Sequence, residues 1–481
     1  MTTRHETLFI GGEWVPPSSA STIEVRNAST GEVIGGTPEA AEADVDDAVA
    51  AARRAFDDPS GWSAWTQTER AAALERLAAE VEARAQEIGR LVSLQNGMPI
   101  ALSPMIEGMG PVGTLRYMAS LLATSPVEEE TARFLGGDLV VRHEPIGVIA
   151  GIVPWNYPQM LSSFKYAPAL AAGNTIVLKP SPETVLDSYV FAEAVAAASI
   201  PPGVINIVPG GREIGAYLVQ HRDVDKVAFT GSTAAGRQIA EVCGRLLRPV
   251  SLELGGKSAA IILDDAELDL AAIGQNLFAA TLINSGQTCY ASTRILAPRS
   301  RYAEVVDVFA AFASSLPVGD ALDPATLIGP LVAERQRDRV EGYIAKGISD
   351  GARLVTGGGR PAGLDRGWFV EPTIFADVDN RSTIAQEEIF GPVLSIISYT
   401  DEDDAIRLAN ESDYGLGGSV WTTDPARARS VIRRVRTGTM GINGYLPDPA
   451  GPWGGVKSSG LGRELGPGAI AAYQNLKTVY A

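Results

Sequence analysis

The 481-residue chain reads as an α/β protein: a doubly wound parallel sheet, a second α/β unit behind it, and a small β extension. Three observations carry that reading. Between Gly147 and Leu254, short apolar runs alternate with helical stretches, the pattern of a parallel sheet wrapped by helices. The same alternation resumes after Gly255. Residues 127–143 and the tail Asn475 to Tyr480 look extended and belong to neither series. A chain of this length exceeds one ordinary core, so two or three domains are expected.

Residues 8–36 read as short strands and turns punctuated by Gly11-Gly12 and Asn27 to Gly31. From Asp44, the spacing of Val45, Ala48, Val49, Ala52 and Phe56 predicts a helix. Thr66 with Glu69 forms a capping-box pattern. The stripe Leu74, Leu77, Val81, Ile88, Leu91 behind it predicts one long amphipathic helix ending at Gly97. Strands are predicted at 147–155, 174–178, 204–208, 226–229 and 250–254, with helices at 160–171, 183–198, 212–220 and 233–246 between them. The second unit reads as strands at 259–263, 292–297, 370–375 and 393–399, with helices at 267–284, 301–315, 333–349, 401–410 and 424–436. Residues 357–368 are Gly-rich and predict a surface loop or hairpin.

Composition excludes several functions. The net charge of −17 argues against nucleic acid or an anionic membrane as partner, because both require a basic face. An anionic ligand must instead be held by backbone amides and single lysines. Only two cysteines, Cys243 and Cys289, are present, which fits a reducing cytoplasm and no disulfide framework. The N-terminus lacks the basic-then-apolar pattern of a signal peptide, and no run approaches a membrane span. The three histidines His5, His143 and His221 lie far apart, so neither a zinc site nor a histidine triad is expected.

In an open parallel sheet, ligands bind beyond the carboxyl ends of the strands. The chemistry-bearing motifs fall there. Pro154-Trp155-Asn156-Tyr157-Pro158 follows the first strand, and the Asn156 amide can donate to a developing oxyanion. As a bare motif it also reads as a turn. Thr230-Gly231-Ser232 follows a strand and opens a helix, where backbone amides bind phosphate without net positive charge. Lys179 follows Thr175-Ile176-Val177-Leu178 and can reach a ribose or phosphate. Glu253-Leu254-Gly255-Gly256-Lys257 ends the fifth strand with a carboxylate, a general base if burial raises its pKa, or else a strand-end ion pair. In the second unit, Gly286-Gln287-Thr288-Cys289 brings a cysteine out of a flexible turn. Its thiol needs surroundings that generate the thiolate, because a free cysteine has a pKa of about 8.5. Cys243 sits in a helix beside Val242 and Leu246 and reads as a small core residue.

Together these segments resemble the NAD(P)-dependent aldehyde dehydrogenase superfamily over nearly the whole chain. The matching pieces are PWNYP at 154–158, KPSPE at 179–183, FTGS at 229–232, ELGGKS at 253–258, GQTC at 286–289, EEIFGP at 387–392 and SGLGRELG at 459–466, in the family's order. The resemblance implies a Rossmann-like cofactor domain (1–126 and 144–254), a catalytic domain (255–458) and bridging or oligomerisation segments (127–143 and 459–481). It implies Cys289 as nucleophile, Asn156 with the Cys289 backbone N–H as oxyanion hole, Glu253 as the base that activates water, and Lys165 in a proton relay. Trp155, Lys179, Ser181, Glu183, Gly211, Gly231, Ser232, Leu254, Glu388 and Phe390 match cofactor-contacting positions. Tyr157, Leu161, Phe164, Ile283, Tyr290 and Trp453, with Thr288 and Leu446, match pocket-lining positions. They are mostly apolar or aromatic and include no arginine for a substrate carboxylate. An uncharged aldehyde is therefore expected. No metal is implied.

One departure bears on the cofactor. Many NAD-using members carry Glu three residues after the lysine; here that position is Pro182, and Glu183 comes one later. NADP thus stays possible, but no arginine near 181–185 or 210 offers itself to a 2′-phosphate, Arg212 being nearest, so NAD is favoured. Two other readings have less support. A CoA-acylating member tends to lack the base, and Glu253 is present. A non-catalytic scaffold would be free to lose Cys289, Glu253 or Asn156, and none is lost. The extended segments imply a homodimer or homotetramer, because exposed strand edges invite pairing between subunits.

Overall fold

The computed structural model describes residues 3–480. Its first layer is an eight-stranded sheet in the order Gly460–Leu461, Val250–Glu253, Lys226–Thr230, Val148–Ile152, Thr175–Lys179, Ile205–Ile207, Leu8–Ile10, Glu13–Val15. The central five are parallel, and the outer three are antiparallel additions. Val148–Ile152, Thr175–Lys179 and Lys226–Thr230 are buried at every position. Helices cover both faces of such a sheet, so a continuous apolar run forms a strand without polar alternation.

Winding direction creates the site. From Val148–Ile152 the chain adds Thr175–Lys179 and then Ile205–Ile207 on one side. It then returns to place Lys226–Thr230 against the opposite edge, pairing Ile149 with both Ile176 and Lys226. Where the winding reverses, the loops leaving neighbouring strands diverge and leave a crevice. Pro154-Trp155-Asn156 and Gly231-Ser232 flank it.

The second unit is a seven-stranded sheet in the order Arg353–Thr356, Thr373–Ala376, Val393–Tyr399, Arg294–Pro298, Ala259–Ile262, Gly418–Trp421, Gly441–Ile442, parallel except for Arg353–Thr356. The third is antiparallel: Glu128–Ala132, Asp138–Pro145 and Gln474–Tyr480, pairing Gln474 with Pro145 and Tyr480 with Leu139. Residues 459–481, grouped as one bridging segment by resemblance, thus serve two sheets: Gly460–Leu461 edges the first and Gln474–Tyr480 the third. Thr3–Arg4, Val33–Pro38 and Thr22–Arg26 form a further small sheet.

One helix expectation needs correction, and one helical stretch had no expectation. The predicted helix to Gly97 is broken at Arg84 (φ −107°, ψ 4°) into Gln67–Ala83 and Ala85–Asn96. The Thr66–Glu69 capping box and the left-handed Gly97 cap both form. The apolar stripe ran through the break because both halves bury Leu77, Val81 and Ile88 in one core, so periodicity alone could not register it. A π-turn Pro104–Met109 and helix Gly110–Leu121 were not predicted; Pro104, Gly108, Gly110 and Pro111 mask their apolar spacing.

Candidate active site

Cys289 is carried by a left-handed turn. After helix Leu270–Thr281 the chain passes through Ile283–Gly286, where Asn284, Ser285 and Gly286 take φ of 52°, 55° and 72°. Such geometry costs Asn and Ser on the order of 1 kcal/mol each and persists only where neighbours enforce it. Here Ser285 Oγ donates to the Gly329 carbonyl at 2.9 Å, and Asn284 Nδ2 donates to the Asn156 carbonyl at 2.9 Å. Gln287 Oε1 accepts from Val332 N at 2.9 Å. A Cβ on Gly286 would lie 2.2 Å from the Gly391 carbonyl oxygen, so only glycine fits that position.

The turn brings Cys289 to Asn156. Both line one cleft with Trp155, Gly231, Ser232, Leu254, Glu388 and Phe390. Asn156 Nδ2 donates to the Gln287 carbonyl at 3.0 Å, which anchors the amide two residues from the sulfur and leaves its second N–H for a ligand. Cys289 is half-buried. Burial, then the carboxylates of Glu388 and Glu253, hold its thiol well above the ordinary range, while the N–H groups of Tyr290 and Cys289 pull the other way. The sulfur therefore rests as a thiol and must lose its proton to react. Cys243 is buried in helix Thr233–Arg245, as its sequence context predicted.

Glu253 ends the strand Val250–Glu253 and is buried, with no hydrogen-bond partner on either carboxylate oxygen. It stands behind the cavity lining: a Cβ on Gly454 would lie 2.5 Å from its Oε1. Burial, then the charge of Glu464, raises it well above the usual carboxylate range, against the pull of Lys165 and Arg463. Lys165 is fully buried and donates to Thr230 Oγ1 at 2.6 Å and Glu464 Oε1 at 2.9 Å. Glu464, absent from the sequence-predicted candidates, thus joins the candidate site through Lys165. The signal was there, a carboxylate inside the matched SGLGRELG segment, but nothing local shows that it folds onto Lys165, 299 residues away.

A second, open crevice of about 1350 Å³ continues from the first, sharing Pro154, Trp155, Thr230, Gly231 and Ser232 and adding Lys179, Ser181, Glu183 and Gly211. Ser232 caps helix Thr233–Arg245 through Ala235 N at 3.3 Å, so that helix N-terminus faces the crevice. Lys179 Nζ donates to the carbonyls of Pro180 at 3.0 Å and Gly210 at 2.7 Å, leaving one N–H for a ligand. Burial brings its pKa down to about 8. The Gly211 N–H donates to Glu39 Oε1 at 3.0 Å, a contact no local pattern announced. At the far end of the lining, Glu388 Oε1 accepts from Gly256 N at 2.9 Å, and Phe390 packs edge-on against Trp155 at 5.3 Å. These donors, the helix N-terminus and the ring pair suit a dinucleotide.

One sequence argument about the cofactor is corrected. Although no arginine neighbours residues 181–185 in sequence, Arg335 is brought to Glu183 as an ion pair across the crevice. Glu183 also accepts from Ser181 Oγ. Arg212 and Arg335 both line this crevice, so cations are present there and Arg335 and Glu183 offset each other's charge.

The expected pocket residues Tyr157, Leu161, Phe164, Ile283, Tyr290 and Trp453 all belong to one buried apolar cluster against which Cys289 packs. The Tyr157 hydroxyl meets Thr288 Oγ1 at 2.6 Å, tying the residue after Asn156 to the residue before the cysteine. Leu446 is instead 67% exposed, at the rim of an open cavity of about 630 Å³. Its neighbour Tyr445 takes the inward place, packing edge-on to Tyr290 at 5.0 Å; Tyr290 in turn meets Trp453 at 5.8 Å.

A half-buried thiol, an amide with a free N–H, a buried carboxylate and an open crevice with a helix N-terminus lie together at the strand ends. Comparison with known proteins agrees with that combination. The model of the aldehyde dehydrogenase family matches residues 14–479. The geranial dehydrogenase of Castellaniella defragrans is 56% identical over 480 residues, covering 100% of this chain and 99% of that protein. The crystal structure of a Mycobacterium tuberculosis aldehyde dehydrogenase complexed with NAD+ is 49% identical and superposes with a TM-score of 0.97, covering 100% of this chain and 98% of that one. A mutant aldehyde dehydrogenase C from Pseudomonas syringae, complexed with NAD+ and octanal, is 39% identical with a TM-score of 0.94, covering 98% and 96%. The chain belongs to the aldehyde dehydrogenase family.

Proposed function

We propose that this enzyme oxidises an uncharged, apolar or aromatic aldehyde to its carboxylic acid with NAD, through a covalent intermediate on Cys289. The observation that carries the reading is the shared cavity: Cys289 and Asn156 line the inner end of the crevice that Lys179, Gly231, Ser232 and Glu183 line further out. Cys289 adds to the aldehyde carbon as thiolate, and the carbonyl oxygen becomes an oxyanion that the free N–H of Asn156 and the Cys289 N–H receive. When bound, NAD supplies the acceptor for the hydride that leaves the thiohemiacetal. Glu253 then takes a proton from water, which attacks the resulting thioester and releases the acid; the Lys165–Glu464 pair stands behind it to pass that proton on. Trp155, Ser181, Gly211, Leu254, Glu388 and Phe390 shape the cofactor side. Tyr157, Leu161, Phe164, Ile283, Tyr290 and Trp453 hold the substrate chain, and their lack of charge is what excludes a charged aldehyde. The solved relative with octanal and the geranial dehydrogenase point to the same apolar class.

In this reading residues 1–126 with 144–254 bind the cofactor, 255–458 carry the nucleophile, and 127–143 with 459–481 bridge and oligomerise. Among the described residues no helix is long and apolar enough to cross a membrane. We place the enzyme in the cytoplasm because its two cysteines are unpaired. The test is NADH formation from octanal, geranial and benzaldehyde without added CoA, with NAD and NADP compared by kcat/KM. Turnover without CoA and a preference for NAD are expected. Strict CoA dependence would replace this reading with an acylating one, and a preference for NADP would overturn the choice of NAD.

A further inference from the structure

Beneath the site lies a buried polar ring that the chemistry above does not use. Asp187, four residues beyond Glu183, is fully buried. Its Oδ2 accepts from Gln159 Nε2 at 2.6 Å, and its Oδ1 accepts from Gln95 Nε2. Gln95 Oε1 in turn accepts from Leu186 N at 3.1 Å, so Gln95 holds this segment by backbone and side chain together. The next residue, Asn96, points the other way: its Nδ2 donates to the carbonyls of Trp155 at 2.8 Å and Asn156 at 3.3 Å. On the remaining side, Gln159 is the second residue of the helix Pro158–Ala171, which follows Asn156-Tyr157 directly, and its N–H donates to the buried Glu107 at 2.8 Å. Met160 N donates to the same Glu107 oxygen at 3.3 Å. Gln95, Asn96, Glu107, Gln159 and Asp187 are all nearly inaccessible, between 0 and 2% exposed.

The geometry points to a positioning device: we infer that Asp187, through Gln95-Asn96 on one side and Gln159 on the other, fixes the Asn156 amide relative to the cofactor-side segment 181–187. The inference rests on the reading of Asn156 as oxyanion donor. The ring closes through two routes from one carboxylate to the Asn156 backbone, and Glu107 completes it by capping the helix that starts there. A misplacement of about 1 Å at such a donor costs on the order of a hundredfold in rate. Although Asn96 Oδ1, Glu107 Oε1 and Gln159 Oε1 lack partners, both side-chain amides that flank Asp187 are held by its one carboxylate, so removing that shared acceptor frees both at once.

The test is a double-mutant cycle with Asp187→Leu and Asn156→Ala, followed by kcat for aldehyde oxidation and by thermal unfolding. Asn156→Ala alone is expected to lower kcat by about 10²–10³, as loss of one oxyanion donor does. Asp187→Leu alone is expected to lower kcat at least tenfold. In the Asn156→Ala background it should cost less than a further factor of two, because its effect runs through the amide already removed. Asp187→Asn should recover most of kcat, since a flip of the Gln159 amide, whose Oε1 has no partner, presents an acceptor to the new Nδ2. If Asp187→Leu does not fold, Gln159→Leu carries the same comparison. Factors that multiply in the double variant, or a lower melting temperature with kcat unchanged, would overturn the inference. An Asn156→Ala enzyme with undiminished kcat would instead remove the oxyanion reading on which it stands.

Discussion

At the scale of single residues, reactivity is set by protons held where charge is costly. Cys289 and Glu253 both carry raised pKa values, and in each the first cause is burial. For Cys289 the carboxylates of Glu388 and Glu253 add to burial, and for Glu253 the carboxylate of Glu464 does. For an acid raised in this way the neutral form persists to higher pH, so both groups gain their reactive form only as pH rises. Aldehyde oxidation is therefore expected to climb from pH 6 toward alkaline pH rather than to plateau at neutrality, read from kcat/KM against pH. Cys289→Ser, which replaces the thiol by a far weaker acid, should lose at least about 10³ in NADH formation with its melting temperature kept. Glu253→Gln should still give one rapid equivalent of NADH per active site and then release acid slowly. Unchanged steady-state turnover in that variant would refute its role as base.

At the scale of elements, the site depends on a turn more than on any helix or strand. The left-handed run Asn284-Ser285-Gly286 is unfavourable locally and is clamped by Gly329, Asn156 and Val332. Gly286→Ala places a methyl against the Gly391 carbonyl and demands a positive φ of alanine. It should lower both the melting temperature and kcat, with a stability loss of at least about 1–2 kcal/mol from the backbone alone. Gly274→Ala in the helix Leu270–Thr281 is the control: nothing lies within 4 Å of its new methyl, so it should stabilise by up to about 1 kcal/mol with kcat unaffected. Equal behaviour of the two variants would show that the turn is not under the constraint described. The strands carrying Asn156, Lys179, Gly231 and Glu253 were legible because short apolar runs between Gly and Pro leave little choice. Helix Gly110–Leu121 was not, because Gly110, Pro111 and Gly113 weaken every local helix signal and only packing on Gln67–Ala83 and Pro158–Ala171 restores it.

At the scale of the molecule, the third sheet has two unlike edges. Glu128–Ala132 carries three consecutive glutamates, which discourage edge pairing. Gln474–Tyr480 exposes Leu476, Val479 and Tyr480, a sequence that leaves backbone groups and apolar side chains available together. We propose that subunits associate through this second edge as a dimer or tetramer. Light scattering at micromolar concentration should give a mass of two or four chains, and Val479→Glu should lower it. A sharp monomer mass for the unmodified protein would count against the proposal.

The amino-acid sequence by itself determined the class of fold and the strand-end placement of Asn156, Lys179, Gly231 and Glu253. Each of these follows from local chemistry: apolar run length, glycine and proline punctuation, and residue type within a short motif. Tertiary structure alone decided which distant groups meet. Glu464 reaches Lys165, Arg335 reaches Glu183, Tyr445 rather than Leu446 turns inward, and Asp187 gathers Gln95 and Gln159. Such pairings depend on how sheets and loops stack, and stacking is a sum over the whole chain that no window of sequence contains. Cys289 shows the division most plainly: its selection over Cys243 rests on the resemblance carried by segments spread along the chain, but its protonation is set by burial and by two carboxylates from elsewhere in the fold.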